Sequence, residues 1–143
     1  MTVWTAGEPW LHVLPDTADV PARSAFPAAG TSVVVTLDAA RMANDQLVFE
    51  QFDRGLRFPD YFGWNWDALA DCLRDLGWLP ADAYLIVVTN ADRLLADEPA
   101  ARELLFRTLR TSASHWAQES VPFNVVLMCQ PARAEALAAE LTR

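Results

Sequence analysis

Apolar residues follow two patterns along this chain: short runs rich in Val and Ile, and longer stretches with apolar residues every three or four positions. Short runs without polar alternation predict strands buried on both faces, and the second pattern predicts amphipathic helices. The predicted strands are Ser32–Leu37, Tyr84–Val88 and Phe123–Met128. We expect Ser32–Leu37 to be a central strand of a parallel sheet.

The stretches with helical spacing also carry residues that begin or end helices. Asn caps a first turn, Pro suits the first helical position, and Gly often follows the last turn. These residues are Asn44, Asn65, Pro99, Pro131 and Gly77. The predicted helices are Asp45–Leu56, Asn65–Leu76, a long stretch from Asp97 through Trp116, and Pro131–Leu141. Strands alternating with helices predict an α/β fold with a small parallel sheet of about three strands, packed with helices.

The N-terminal segment breaks both patterns because proline recurs through it, at Pro9, Pro15, Pro21 and Pro27. Proline fixes φ and has no amide hydrogen, so it interrupts helices and interior strands. We expect an irregular, proline-rich arm over residues 1–30, with at most one short strand at Trp10–Leu14. The chain has 143 residues, 52% of them hydrophobic, which suffices for one core, so residues 31–143 should form one domain.

The charge of the chain limits what it can bind. Eleven Lys and Arg stand against nineteen Asp and Glu, a net charge of −8 at pH 7. Such a surplus repels nucleic acid and favours encounter with a basic protein. The start, Met1–Glu8, does not read as a signal peptide, and no run approaches the ~18 apolar residues of a membrane span. We therefore expect a cytoplasmic protein that binds neither nucleic acid nor membranes.

Cysteine and histidine are too sparse to indicate a disulfide framework or a metal site. Cys72 and Cys129 are the two cysteines, and in a cytoplasmic chain we expect reduced, packed thiols. His12 and His115 stand in no H-x-x-x-H or C-x-x-C setting, so they show no metal-ligand spacing. We expect no metal and no cofactor.

Three aspartates, Asp67, Asp71 and Asp75, are spaced four residues apart in the second predicted helix and share one face. Like charges at this spacing repel by a few tenths of a kcal/mol per pair, and only Asp67 gains from the helix dipole. One interpretation is a solvated face, with Arg74 offsetting the repulsion around Asp71. The other is a binding surface, whose carboxylates take the place of RNA phosphates on the Arg and Lys of a nuclease.

The residues that lead into this helix, Tyr61–Trp66, include four aromatics and a glycine. Tyr and Trp are the residues that most often dominate protein interfaces. Aromatic residues are also common in cores, and we expect Phe62 and Trp66 to be buried. Tyr61 and Trp64 remain open between core and surface.

The stretch from Phe58 to Leu73 reads Phe-Pro-Asp-Tyr-Phe-Gly-Trp-Asn-Trp-Asp-Ala-Leu-Ala-Asp-Cys-Leu. It resembles the barstar family, the intracellular inhibitors of barnase-type ribonucleases. The shared pattern, Pro-x-Tyr-aromatic-Gly-x-Asn-x-Asp-Ala-Leu-x-Asp-Cys-Leu, is long and specific. A weaker likeness extends over Thr31–Cys129, and the segments outside it look like additions to a family core. The resemblance implies a barstar-like α/β fold and a protein that is not an enzyme.

The resemblance also assigns residues to a partner surface. Tyr61 matches the loop tyrosine that lies against the ribonuclease, and Asp67 and Asp71 match the aspartates that enter its active site. Gly77 and Trp78 are similar to a Gly-Trp pair beyond the inhibitory helix. The predicted partner-binding residues are Tyr61, Gly63, Trp64, Asn65, Asp67, Ala70, Asp71, Asp75, Gly77 and Trp78.

Two positions depart from the family pattern. Ala70 stands where the family typically has a Trp, immediately before the second aspartate. Thr111 aligns loosely with a family glutamate that also faces the ribonuclease. Both changes put in doubt that the partner is barnase itself, and neither removes the acidic face.

The leading hypothesis is an inhibitor of a basic ribonuclease, which occludes the active site with its acidic helix in an immunity or antitoxin role. The alternative is an interaction module of the same fold that binds a non-nuclease basic protein, which Ala70 and Thr111 motivate. An enzyme using Asp67 and Asp71 as acid and base has the weakest support, because such catalysis needs two carboxyls in different surroundings. The chain also has no phosphate loop and no nucleophile elbow.

Overall fold

Strands and helices alternate along the chain in the computed structural model, which describes residues 3–18 and 30–142. The strands are β1 (Leu11–Pro15), β2 (Ser32–Asp38), β3 (Ala83–Thr89) and β4 (Phe123–Cys129). The α-helices are α1 (Asp45–Leu56), α2 (Trp66–Asp75), α3 (Arg102–Gln118) and α4 (Pro131–Leu141). Each helix and strand expected after residue 30 is present, which confirms the α/β fold.

The sheet is parallel throughout, with its four strands in the order β1-β4-β3-β2. The expected number of about three strands is one too few, because β1 of the N-terminal arm pairs with β4. The short strand expected at Trp10–Leu14 is therefore confirmed. Pro15 can stand in β1 because an edge strand tolerates the missing amide hydrogen. Residues 1–2 and 19–29 of the predicted arm lie outside the described residues.

β2 lies at an edge of the sheet, so the expectation that it is a central strand is wrong. Its outer positions are open, with Val34 42% exposed and Thr36 also exposed. β3 and β4 are the central strands, and every residue of β4 is buried. The run of valines predicted a strand and misplaced it, because β-branched residues favour edge and central strands alike.

The two faces of the sheet are covered by different parts of the chain. Side chains alternate along a strand, so Tyr84 and Ile86 face one side of β3 while Leu85 and Val87 face the other. The first side carries the main core, to which α1, α2 and α3 contribute. The smaller cluster on the second side consists of Val3, Leu85, Val87, Val126 and Met128, with Trp4 and Leu14 against them. The N-terminal segment thus helps to cover the second face of the sheet.

Two arginines of α3 fix the position of α4. Arg102 donates from Nε and Nη2 to the two carboxylate oxygens of Glu140, at 2.6 and 2.9 Å. Arg110 donates to the carbonyl of Leu141, the last residue of α4. Because a bidentate arginine–carboxylate pair fixes both partners, α4 is fixed where it packs beside β1.

Both cysteines lie in the interior. Cys72 and Cys129 are free thiols, 3% and 1% exposed, which confirms the expected packed state. Cys72 belongs to α2 and Cys129 ends β4.

A bilayer crossing requires a helix that is both long and apolar. In the ranges that the structure describes, no helix meets these two requirements together.

Replacing Leu69 with Ala should lower the free energy of unfolding by about 2 to 5 kcal/mol, because a fully buried leucine leaves a cavity that closes only in part. Leu69 is 0% exposed. Urea denaturation followed by circular dichroism measures the change. Arg107→Ala, on the exposed surface of α3, is the control and should change the free energy by no more than about 0.5 kcal/mol. Equal losses in the two variants would contradict the burial assigned to Leu69.

Candidate functional site

α2 is oriented with one face in the core and the opposite face in solvent. Leu69, Cys72 and Leu73 are 0%, 3% and 0% exposed. Helical geometry then places Asp67 and Asp71 on the side opposite these three residues. The packing of α2 therefore turns both carboxylates toward solvent.

Asn65 fixes the start of α2. Its side-chain oxygen accepts a hydrogen bond from the Ala68 N–H at 2.8 Å, and its backbone is extended, with φ −145°. Its side-chain amide donates to the Gly63 carbonyl at 3.3 Å and ties the preceding loop to the helix. Asn44 has the same role in α1, where it accepts from the Leu47 N–H at 3.0 Å. Both predicted N-caps are confirmed.

Asp67, Asp71 and Asp75, here called the acidic ridge, are all exposed. Among residues 3–18 and 30–142, nothing forms a hydrogen bond or ion pair with the Asp67 carboxylate. Asp71 accepts from Arg74 Nη2 at 2.7 Å, yet its side chain remains 74% exposed. Such surface pairs contribute no more than about 1 kcal/mol. The Arg74 contact expected for a solvated face is present, and Asp71 remains accessible to another cation.

The third carboxylate of the acidic ridge is linked to the loop before α2. The Tyr61 hydroxyl donates to Asp75 Oδ2 at 3.2 Å, while 68% of Tyr61 is exposed. Reduced hydration, and then the hydrogen bond to Asp75, raise the pKa of the Tyr61 phenol above its ordinary value. The hydrogen bond from Tyr61 links Asp75, and with it the acidic ridge, to the loop before α2.

The loop before α2 presents an aromatic ring and open backbone to solvent. Trp64 is 43% exposed, and its φ of 55° is a left-handed conformation that bulky residues seldom adopt. Gly63 is also exposed, and a Cβ there would lie 3.4 Å from Ala68 Cβ, an ordinary contact. Internal packing therefore does not require glycine at this position. Strained, exposed residues such as Trp64 are typical of binding sites.

The other aromatics near the acidic ridge serve mainly the core. Phe62 is 5% exposed, and the partly buried Trp66 packs edge-on against Phe49 with ring centroids 5.0 Å apart. Both were expected in the core. Trp78 is partly buried and donates from Nε1 to the Leu56 carbonyl at 2.9 Å. It joins the ends of α1 and α2, and only its remaining exposed part is available to a partner.

α2 ends one residue earlier than the sequence predicted. Leu76, and not Gly77, adopts the left-handed conformation that closes the helix, with φ 48°. Leu76 is 1% exposed, so burial of its side chain offsets a backbone penalty of roughly 1 to 2 kcal/mol. The Gly77 N–H donates to Asp75 Oδ1 at 3.3 Å and helps to orient that carboxylate.

The surroundings of the acidic ridge differ from those of a catalytic pair. Asp67 and Asp71 are both exposed, so neither has the apolar pocket that would set one apart as a general acid. Cys72 is a poor nucleophile, because burial first, and then Asp75 and Asp71, raise its pKa to about 11. The ridge suits recognition of a cationic surface.

No three His, Cys, Asp or Glu side chains are grouped to hold a metal ion in the part of the chain that the structure describes.

A cleft beside the ridge brings together residues that were not among the predicted partner-binding residues. We call it the cationic cleft. It has a volume of about 430 Å³, and its lining includes Trp10, Arg74, Arg110, Thr111, Ser114 and His115. Arg74 also bonds Asp71, so the cleft and the ridge share a border. Helical spacing assigns each residue to a face of its own helix, but only the packing of α2 on α3 brings these faces together.

Residues 32–128 match the model of the Barstar family, described as barstar (barnase inhibitor). This region is more than half of the chain and runs from β2 into β4, so β1 and α4 lie outside it. The acidic ridge and the loop before it lie inside it. No match was found among curated proteins.

Asn65→Ala should lower the free energy of unfolding by about 1 kcal/mol, because the cap hydrogen bond to the Ala68 N–H is lost. Asn44→Ala removes the equivalent cap of α1 and should lower it by a similar amount. Denaturation measures both losses, and amide hydrogen exchange separates them. The Ala68 amide should exchange faster only in Asn65→Ala. Unchanged exchange at Ala68 in that variant would show that the cap does not hold α2.

Proposed function

The chain belongs to the Barstar family, and we propose that it inhibits a basic ribonuclease by placing the acidic ridge in that enzyme's active site. The exposure of Asp67, Asp71 and Asp75 on a helix anchored in the core carries this proposal. A ribonuclease binds RNA phosphates through Arg and Lys, and carboxylates accept the same charge-assisted hydrogen bonds. The ridge thus competes for the side chains that hold the substrate.

The support behind the ridge favours tight binding. Leu69 anchors α2 in the core, Asn65 caps it, and Trp116 of α3 donates from Nε1 to the Leu73 carbonyl at 2.8 Å. A surface that is already ordered loses little conformational entropy when it binds. The carboxylates need only side-chain adjustment to meet a partner.

Arg74 is the group that the ribonuclease has to displace. In the free chain the Arg74 guanidinium is hydrogen-bonded to Asp71 Oδ1, and the Asp71 side chain is still 74% exposed. Such an exposed pair is weak, whereas a charge pair enclosed in an interface couples by several kcal/mol. Exchange of Arg74 for an arginine or lysine of the enzyme therefore favours the complex.

The loop before α2 supplies the uncharged part of the proposed interface. Tyr61 and Trp64 present aromatic surface beside the ridge, and Gly63 leaves room for a close backbone approach. Aromatic contacts around a charged centre exclude water and strengthen the charge pairs inside. The loop and the ridge would act as one surface.

We propose an immunity or antitoxin role in the cytoplasm, where such an inhibitor would protect the cell's own RNA. The target is a self-made secreted ribonuclease or the nuclease domain of a toxin. The net charge of −8 attracts a basic enzyme over long range and raises the rate of encounter.

Asp71→Asn should weaken ribonuclease binding by about 2 to 5 kcal/mol, because it leaves a cation of the enzyme buried without its partner. The free energy of unfolding should change by no more than about 0.5 kcal/mol, since Asp71 is exposed. Calorimetry at low salt against a barnase-type ribonuclease, beside a thermal melt, measures both. Glu135→Gln removes one negative charge from exposed α4 and should leave affinity nearly unchanged. Lost stability with unchanged binding in Asp71→Asn would refute the proposal.

The association rate constant should fall by about tenfold or more between low and high salt, because ions screen the attraction between the acidic chain and a basic enzyme. Stopped-flow fluorescence can follow the encounter through the exposed Trp64. The dissociation rate should change much less, since enclosed charge pairs are poorly screened. An association rate independent of salt would show that charge does not guide binding.

A second function remains open because Ala70 and Thr111 lack the side chains that the family typically has. An interaction module with the same ridge would bind a basic protein that is not a nuclease. RNA cleavage assays separate the two functions. At saturating concentration an inhibitor abolishes cleavage by its ribonuclease, and an interaction module leaves cleavage untouched.

A further inference from the structure

The cationic cleft has a composition opposite to that of the chain. Its lining includes two guanidinium groups, those of Arg74 and Arg110, together with the imidazole of His115. No Asp or Glu from the described ranges lines it. Because the whole chain carries a net charge of −8, a cleft free of carboxylates and holding two arginines is a local exception. A group that binds there should carry negative charge.

Arg110 is held by its hydrogen bond to the Leu141 carbonyl, whereas Arg74 makes only the weak, exposed contact with Asp71, and both still have donors to offer. Arg110 uses Nη2 for the Leu141 carbonyl, and Arg74 uses Nη2 for Asp71. The Nε and Nη1 groups of both have no partner within residues 3–18 and 30–142. Guanidinium groups with free N–H donors match the oxygens of a carboxylate or phosphate. Thr111 and Ser114 add hydroxyl groups to the same lining.

The position of the cleft identifies the source of the anion. Arg74 lies on its border with the acidic ridge, and Ala70, one helical turn earlier on the same flank, adds only a methyl group. A protein that covers the ridge therefore also covers the mouth of the cleft. The ridge already occupies the cations that would hold RNA, so the anion that reaches the cleft comes from the protein surface beside the active site.

We propose that the cationic cleft binds an acidic side chain, Asp or Glu, of the ribonuclease whose active site receives the acidic ridge. The inference rests on the proposed function. It makes Arg74 and Arg110 determinants of partner specificity, since a ribonuclease with a cation at this point would meet like charge. Thr111 is an exposed position of the lining, at which the sign of the cleft can be changed without touching the core.

A titration of the full chain with sodium acetate tests the cleft without any ribonuclease. At constant ionic strength, nuclear magnetic resonance should show shifts at the Nε–H groups of Arg74 and Arg110 and at the amides around Thr111. These shifts should disappear in Arg110→Gln, and Arg107→Gln on the same helix should retain them. Shifts scattered over the surface, or equal shifts in Arg110→Gln, would overturn the anion site.

Thr111→Glu tests the partner. A carboxylate placed in the cleft should repel the acidic side chain of the ribonuclease and weaken binding by about tenfold or more. In Thr111→Gln the new side chain has nearly the size of glutamate but no charge, so this variant should bind like the wild type. Tighter or equal binding by Thr111→Glu would show that the partner presents a cation or nothing there, which overturns the proposal.

The two experiments fail in different ways. The chain could bind acetate in the cleft and yet bind no barnase-type ribonuclease. That result would confirm an anion site. It would overturn the proposed function and, with it, the ribonuclease side chain as the source of the anion. A parallel titration with inorganic phosphate tests the other possible source of the anion, a free anion in solution. Phosphate binding at the same signals, with ribonuclease affinity unaffected by Thr111→Glu, would assign the cleft to a free anion and overturn the acidic side chain.

Discussion

The burial of one face of α2 is the constraint on which the site depends. Leu69 and Leu73 are each 0% exposed, so the helix cannot rotate without moving a leucine toward water. Exposing one leucine costs about 1.5 to 3 kcal/mol, and burying an unpaired carboxylate costs more. Both penalties oppose the same rotation. The direction of Asp67 and Asp71 is thus set by the core, and the acidic ridge is as rigid as the packing beneath it.

Local signals in the sequence predicted the helices well. Asn44 and Asn65 begin α1 and α2 because a side-chain cap needs only the next three residues to act. The placement of strands depends on contacts between distant segments, so β2 was placed at the centre and the pairing of β1 with β4 was left out of the three-strand sheet. Tertiary contacts also explain why Leu76 ends α2. Burial of its side chain outweighs the conformational preference for glycine at that position.

The candidate site was predictable to the extent that it lies on one helix. Spacing alone gave the shared face of the acidic ridge and the contact between Asp71 and Arg74. The exposure of Tyr61 and Trp64 was open in the sequence, because an aromatic residue fits core and interface equally well. The cationic cleft could not be found at all, since it needs α2 and α3 in contact.

A surface with charge of a single sign speeds association but does not discriminate between partners of the opposite sign. The acidic ridge attracts any basic protein, and steering by net charge does not distinguish between them. A cluster of opposite sign beside it changes this, because a partner has to carry cations and an anion at matching positions to satisfy both. A basic protein lacking that anion leaves the arginines of the cleft covered and unpaired, and one with a cation there is repelled. In the proposed complex, specificity would come from the border at Arg74, where the two signs meet on one flank of α2.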